Sequence, residues 1–352
     1  MLSFYSRLPR PVGQGKREIT WQNERKRGCH DAFLERCRCR RGVALGNARL
    51  RAGTYPEREI WILVGFPAGG PPDIAARLLA ERFSANWGKS VVVENATGGG
   101  GNIAVERAVK SAPDGYTLLM ASNAIAINPS LYPSLPYNAM RDLAPISLAV
   151  TMPVILVVNN DVPAKTVREL AALARAQPGK VIVGHAGAGT PAHLAGELFK
   201  SVAGVDIQQV SYRGIPALLP DLLSGRLAAS FPNISVVLQL VREGKLRALA
   251  VTSRRRAAAT PDVPTMAEAG FSGIDANAWF GLMAPTRTPT PIVERIHREA
   301  VRVLAQGDVR RRLDELGMAV VANSPAEFGA LVAADTARWT KVIKAAGIKA
   351  DE

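Results

Sequence analysis

Beyond Thr54 the sequence has no cysteine: its three, Cys29, Cys37 and Cys39, all precede that point. The body of the chain is therefore expected to be indifferent to redox compartment, and a lone Cys-Arg-Cys pair lacks the further ligands of a zinc site. No Gly-x-Ser-x-Gly turn presents an activated serine, so a nucleophilic enzyme is disfavoured. Long apolar runs are absent as well. Runs such as Val154–Val158 and Val181–Val183 have buried-strand length, well short of the ~20 residues of a membrane span. The amino end also lacks the apolar core, roughly 7–15 residues, of a secretory signal.

What is present divides at residue 54. Of the formal charge of +14, residues 1–54 carry nine, with 13 Lys or Arg against 4 Asp or Glu. A nucleic-acid binder concentrates basic side chains on a folded face. Here the excess sits in a segment without hydrophobic periodicity, and Arg254-Arg255-Arg256 is explained by a solvated loop. No nucleic-acid partner is expected. Residues 1–54 are expected to be disordered, or to be misassigned sequence foreign to the mature protein. The 352 residues suffice for two domains.

From Tyr55 the pattern is regular. Ile60–Phe66 reads as a strand, followed by a glycine turn and a helix opened by Asp73, with Ile74, Leu78, Leu79 and Phe83 on one side and Gly88 at its end. Val91–Glu94, Tyr116–Ala121, Val181–Gly184, Ile207–Val210, Leu227–Phe231 and Leu246–Thr252 are further strands. Thr166 with Glu169, and Ser324 with Glu327, form capping boxes, and Pro325 occupies a first helical position. Thr190-Pro191 opens another helix to about Val202. Strands separated by helices predict an α/β protein whose sheets are flanked by helices. Ligands of such sheets sit at the carboxyl ends of the strands.

Three strand-to-helix loops stand out. In Phe66-Pro67-Ala68-Gly69-Gly70-Pro71-Pro72-Asp73, glycines permit close backbone approach and the following helix end favours an anion. On this loop alone, a plain tight turn capped by Asp73 is the favoured reading. Asn95–Asn102 holds four glycines but lacks the Gly-Lys-Ser/Thr ending of a phosphate cradle and the spacing of a dinucleotide loop. Gly184–His193 again sets glycines before a helix, with Thr190 and His193 at its end. His193 is ordinarily structural or solvated there, and its functional role would be a hydrogen bond to a carboxylate. His185 and His193 have no carboxylate or thiol cluster to complete a metal site, so no metal is expected. Ser122-Asn123, Tyr212-Arg213-Gly214 and Asn233 recur at strand ends; each is also an ordinary turn residue.

Together these runs resemble the Bug family, the periplasmic solute-binding proteins of tripartite tricarboxylate transporters. The resemblance rests on Phe66-Pro67-Ala68-Gly69-Gly70-x-x-Asp73, Val93-Glu94-Asn95, Gly100-Gly101-Asn102-Ile103, Ala112-Pro113-Asp114-Gly115-Tyr116-Thr117-Leu118-Leu119 and Ile127-Asn128-Pro129-x-Leu131-Tyr132. It continues through His193-Leu194-Ala195-Gly196-Glu197-Leu198-Phe199, Leu246–Thr252, Asp262-Val263-Pro264-Thr265 and Trp279-Phe280-Gly281-Leu282, from about Tyr55 to the end.

The resemblance implies a two-lobed periplasmic-binding-protein fold of type II character, with two mixed or parallel sheets, a hinge and a cleft between lobes. Lobe one is expected over 55–153 plus 277–352 and lobe two over 154–276. It further implies a ligand carboxylate held by backbone amides and waters. Phe66, Ala68, Gly69, Gly70 and Asp73 would serve from one lobe, with Ser122 and Asn123 beside them. Gly187, Thr190, His193, Tyr212 and Asn233 would serve from the other.

Two positions depart from the family: Pro72, where Thr, Ser or Asn is common, and Pro232-Asn233, where Asp-Asn is common. Family members begin with a signal peptide cleaved before a motif like Tyr55-Pro56; its absence here suggests a misassigned start or frame shift, or else a relative that is not exported. The expected function is capture of a small carboxylate, whether a dicarboxylate, an amino acid or an aromatic acid. The expected setting is the periplasm, with a monomeric receptor, transporter subunits as partners and no cofactor. The alternatives are a receptor feeding a signalling partner and an enzyme on the same scaffold using His193 with Asp73 or Tyr212.

Overall fold

The computed structural model describes residues 55–350; residues 1–54, with the cysteines and most of the excess charge, lie outside them. The strands are β1 (Ile60–Val64), β2 (Val91–Asn95), β3 (Thr117–Ser122), β4 (Leu143–Met152), β5 (Ile155–Asn159), β6 (Ile182–His185), β7 (Gln208–Ser211), β8 (Ala229–Ser230), β9 (Leu246–Val251), β10 (Ala278–Pro285) and β11 (Ala319–Val320). The helices are α1 (Pro71–Trp87), α2 (Asn102–Lys110), α3 (Ala124–Leu131), α4 (Ala139–Asp142), α5 (Val167–Ala176), α6 (Pro191–Ala203), α7 (Ile215–Leu223), α8 (Ile234–Arg242), α9 (Thr290–Leu304), α10 (Gly307–Glu315) and α11 (Pro325–Ala346).

Two sheets result, in the orders β11-β4-β10-β3-β1-β2 and β7-β6-β8-β5-β9. Both are mixed. β1 pairs in parallel with β2 and β3, while β10 runs antiparallel to β3 and β4. In the second sheet β6 is parallel to β7 and β8, and β5 is antiparallel to β8 and β9. The chain is thus a two-lobed α/β protein. Pro153 and Val154 alone separate β4 from β5, and a longer return joins β9 to β10. These directions bring the carboxyl ends of β1, β3, β6 and β8 to the end at which the chain crosses between sheets.

The crossing strand has no solvent face. Ile155, Leu156, Val157 and Val158 are all buried. Val154, Leu156 and Val158 enter one apolar cluster with Phe199, Trp279 and Trp339, while Ile155 and Val157 enter a second with Phe83 and Ile296. Such continuous apolar runs belong to strands covered on both faces.

The capping expectations resolve in detail. Ser324 and Glu327 form the full reciprocal box with Pro325 in the first turn of α11. Thr166 accepts the Glu169 N–H at 3.1 Å, but the Glu169 carboxylate reaches Lys165 N–H instead, one residue earlier than a box requires. Helix α1 starts at Pro71 with Gly70 as its cap, two residues before Asp73. Strand β8 is reduced to Ala229–Ser230, because Phe231–Asn233 turns out to meet the crossing, where Asn233 bridges Val154.

Gly281, in the middle of β10, shows how tightly the first sheet is filled. A Cβ there would lie 2.5 Å from Phe328 Cζ and 2.8 Å from the Ser147 carbonyl oxygen. The backbone oxygen cannot move aside, so Gly281→Ala is expected to cost about 1–3 kcal/mol, read as a lowered urea midpoint with unchanged slope.

Candidate functional site

The first turn is held by a ring of three polar side chains. Asp73, buried in the first turn of α1, accepts Gly69 N–H at 2.8 Å and Arg77 Nε–H at 2.9 Å. Asn95, at the end of β2, donates at 2.9 Å both to Asp73 Oδ1 and to the Phe66 carbonyl, and accepts from Arg77 at 3.1 Å. Burial acts to raise the Asp73 carboxyl, but the hydrogen bonds from Arg77, Gly69 and Asn95, with the Arg77 charge, outweigh it and hold the group below its ordinary 3.8. The carboxylate therefore points back into its own loop. Pro71 and Pro72 remove two of the N–H groups that a helix start normally offers. The N–H groups of Ala68 and Asp73 have no acceptor among the described residues.

The second glycine loop packs directly on the first. A side chain at Gly65 would meet Gly101 Cα at 2.8 Å, and one at Gly101 would meet the Phe66 ring at 3.5 Å. Gly98 to Gly101 all hold positive φ, a conformation glycine adopts without strain. Asn102 Oδ1 then accepts from Asn128 of α3 and from the Tyr137 hydroxyl, each at 2.6 Å.

The third loop is folded on itself. The Thr190 hydroxyl donates to the Gly187 carbonyl at 2.8 Å and accepts His193 N–H at 3.3 Å, capping α6. Gly189 N–H donates to His193 Nδ1 at 3.2 Å, which assigns the neutral tautomer with hydrogen on Nε2. His185 is buried, lies 3.1 Å from the Gly187 carbonyl through Nδ1, and stacks on His193 with centroids 4.0 Å apart. No group of three or more metal-ligating side chains occurs among the described residues.

Helix α3 is where the loops converge. Gly189 abuts Leu131 and Ile127, so closely that any Cβ there would collide with Leu131. Gly100 and Asn102 meet the same helix through Tyr132 and Asn128. Phe66, Gly101, Gly189 and α3 are thus brought together. Other expected residues are spent elsewhere. Asn123 uses both ends of its amide on the crossing chain, donating to the Asn277 carbonyl at 3.1 Å and accepting Trp279 N–H at 2.8 Å. Ser122 Oγ accepts Ala124 N–H at 3.3 Å. The Tyr212 hydroxyl donates to Asp221 of α7 at 2.8 Å, a bond that pushes the phenol up from its usual range. The side chain of Asn233 makes no hydrogen bond among the described residues, and its backbone sits on the crossing at Val154. Asn95, Asn128, Asn277 and Arg77 carry much of this framework without having been singled out as site residues. Only Asn95, an asparagine ending a strand, carried such a signal in the sequence.

A cavity of about 700 Å³ lies apart from these loops, walled by Arg254–Ala259 on one side and by Met318, Val321, Ala334 and Trp339 on the other. None of the expected ligand residues lines it. At its edge Trp279 Nε1–H donates to Asp335 at 2.7 Å, and burial pushes the Asp335 carboxyl up in spite of that bond.

With this geometry in place, comparison supplies the class. The family described as "Tripartite tricarboxylate transporter family receptor" matches residues 75–348, and the chain belongs to it. It is a family of periplasmic solute-binding receptors. The chain is 38% identical over 304 residues to "Protein BugT" of Bordetella pertussis, covering 86% of this chain and 93% of that one. Among solved structures it resembles "R. palustris Rpa4515 with adipate", at 35% identity and TM-score 0.76, covering 84% of this chain and 99% of that one. It also resembles MatC of Rhodopseudomonas palustris "with bound malate", at 33% identity and TM-score 0.70, covering 82% and 100%. Among the described residues no helix is long and apolar enough to cross a membrane.

The Asp73 ring has a measurable signature. Asp73→Ala is expected to cost about 1–3 kcal/mol at neutral pH by stranding Gly69 N–H, Asn95 and Arg77. Because the folded carboxyl titrates below its ordinary value, its contribution is present above 3.8 and is lost as pH falls through the folded value. Wild-type and variant denaturation midpoints should therefore converge in acid.

Proposed function

We propose that the chain is an extracytoplasmic receptor that captures a small carboxylate between its two lobes and delivers it to a tripartite tricarboxylate-type transporter. The observation that carries this reading is that solved relatives of at least 33% identity, aligned over most of both chains, are described with adipate and with malate. The glycine turns support it chemically. Ala68, Asp73 and Gly187 offer backbone N–H groups beside helix starts, where the dipole and free donors favour an anion. In this reading residues 55–153 with 277–352 form one lobe and 154–276 the other, the receptor acts as a monomer in the periplasm, and no catalysis is involved. Asp73, Asn123, Thr190 and His193 act as fixed supports that aim the amides. Phe66, Gly69, Gly70, Ser122, Tyr212 and Asn233 form the surrounding wall.

A thermal-shift series on the full chain tests this with adipate, malate and a monocarboxylate against neutral solutes of like size. A bound acid at one hundred times Kd stabilises the native state by ~2.7 kcal/mol. If neutral solutes alone raise Tm, the carboxylate reading fails. Gly189→Ala, whose methyl group would meet Leu131 in the arrangement seen here, is expected to weaken binding of the same acid about tenfold or more. Calorimetric titration would show it.

A further inference from the structure

The loops that leave the carboxyl ends of β1, β2, β3, β6 and β8 contain no lysine, arginine, aspartate or glutamate. The loop after β7 differs. It reads Tyr212-Arg213-Gly214, and Arg213 is the single formal charge in all six loops. Because β7 runs parallel to β6, it ends at the same end of the sheet, with Ser211 opposite His185. Tyr212 N–H donates to the His185 carbonyl at 2.9 Å, which ties this turn to the strand that leads into Gly187–Thr190. Neighbouring strands lie about 4.8 Å apart, so the Arg213 backbone is a close neighbour of the glycine turn before α6.

Local structure leaves Arg213 at a tip. Gly214 N–H donates back to the Tyr212 carbonyl at 2.8 Å, which makes Arg213 the apex of a three-residue turn. Tyr212 turns toward α7 and bonds Asp221, while Gln209 of β7 turns toward α6 and bonds Glu197. Both of those carboxylates are engaged further, Asp221 by Arg226 and Glu197 by Lys200. Arg213 is exposed and meets no carboxylate among the described residues. A guanidinium in that state stays hydrated while the site is empty, yet its planar fork of donors matches a carboxylate.

We propose that Arg213 is the residue that distinguishes a dicarboxylate from a monocarboxylate. One carboxylate of the ligand is held by backbone amides of the glycine turns, and the guanidinium of Arg213 reaches over the turn before α6 to take the other. The inference rests on the carboxylate-receptor reading given above and adds to it a source of charge selection. Turn amides bond any carboxylate alike. Only a second negative group gives Arg213 a partner, because a monocarboxylate places an uncharged chain end there and leaves the guanidinium in water.

Calorimetric titration of the full chain tests this with each diacid beside the monoacid of the same chain length, adipate with hexanoate and malate with butyrate. For a diacid that binds the wild type, Arg213→Gln is expected to weaken binding about tenfold or more, as loss of a charge-assisted bond does. The matched monoacid should change by less than about twofold, since it makes no such bond. Arg213→Lys is expected to recover part of the lost diacid affinity. Arg242→Gln removes another exposed charge, at the far end of α8, and is expected to match wild type with every acid. All three variants should keep the wild-type urea midpoint, because both arginines are exposed. The assignment is overturned if Arg213→Gln leaves diacid binding unchanged, if it weakens the monoacid equally, or if Arg242→Gln reproduces its effect. A wild type that binds only monoacids overturns it while leaving the carboxylate reading intact; one that binds no acid overturns both.

Discussion

Pro153 and Val154 are the whole of one connection between the two sheets, and that brevity governs the rest. A two-residue link leaves no slack, so β4 must end where β5 begins, and the strand remains fully buried through the transition. The second crossing, β9 to β10, is longer but is pinned where it matters. Asn123 holds the Asn277 carbonyl and the Trp279 amide against the end of β3. A buried side-chain amide satisfied at both ends fixes its neighbours, because losing either bond leaves a polar group stranded. The carboxyl ends of β1, β3, β6 and β8 are thereby brought to the crossing, where the loop after β6 meets α3.

The α/β class and most strands were legible from hydrophobic runs punctuated by glycine and proline, since local propensity and burial agree there. The caps at Thr190 and Ser324 were legible for the same reason: a hydroxyl before a proline at a helix start satisfies local chemistry alone. Antiparallel β10 was harder to place. Ala278–Pro285 is buried throughout, and a continuous apolar run carries no sign of its direction or partners. Strand β8 was overestimated because Phe231 continues the apolar run, whereas its course is set by a contact with Val154 that is remote in sequence.

The site was legible as a set of loops and much less so as a set of roles. Glycines at positive φ in residues 98–101 follow from the spelling of the loop. That Asp73 turns back on Gly69 instead of outward depends on Asn95 and Arg77, which reach it from another strand and from the next helical turn. Likewise nothing near Asn123 foretells that its partners lie more than 150 residues away. Side chains with two hydrogen-bonding ends are the ones whose roles the local sequence hides. Either end is satisfied by whatever the tertiary fold brings near.

Those roles bear on how an anion would be held. Asp73 and Arg77 neutralise each other at 2.9 Å, so the first turn presents neither charge outright. Pro71 and Pro72 keep the alignment of α1 while withholding two of its donors. In the proposed reading, the remaining attraction for a carboxylate would come from a small number of oriented N–H groups, at Ala68 and Asp73 in one turn and Gly187 in another. Each carboxylate oxygen accepts more than one such bond, so the count favours water as an additional donor over a buried cation. A receptor of that design avoids the desolvation cost of an unpaired buried charge when empty. In that reading its discrimination would rest on the spacing of the two turns.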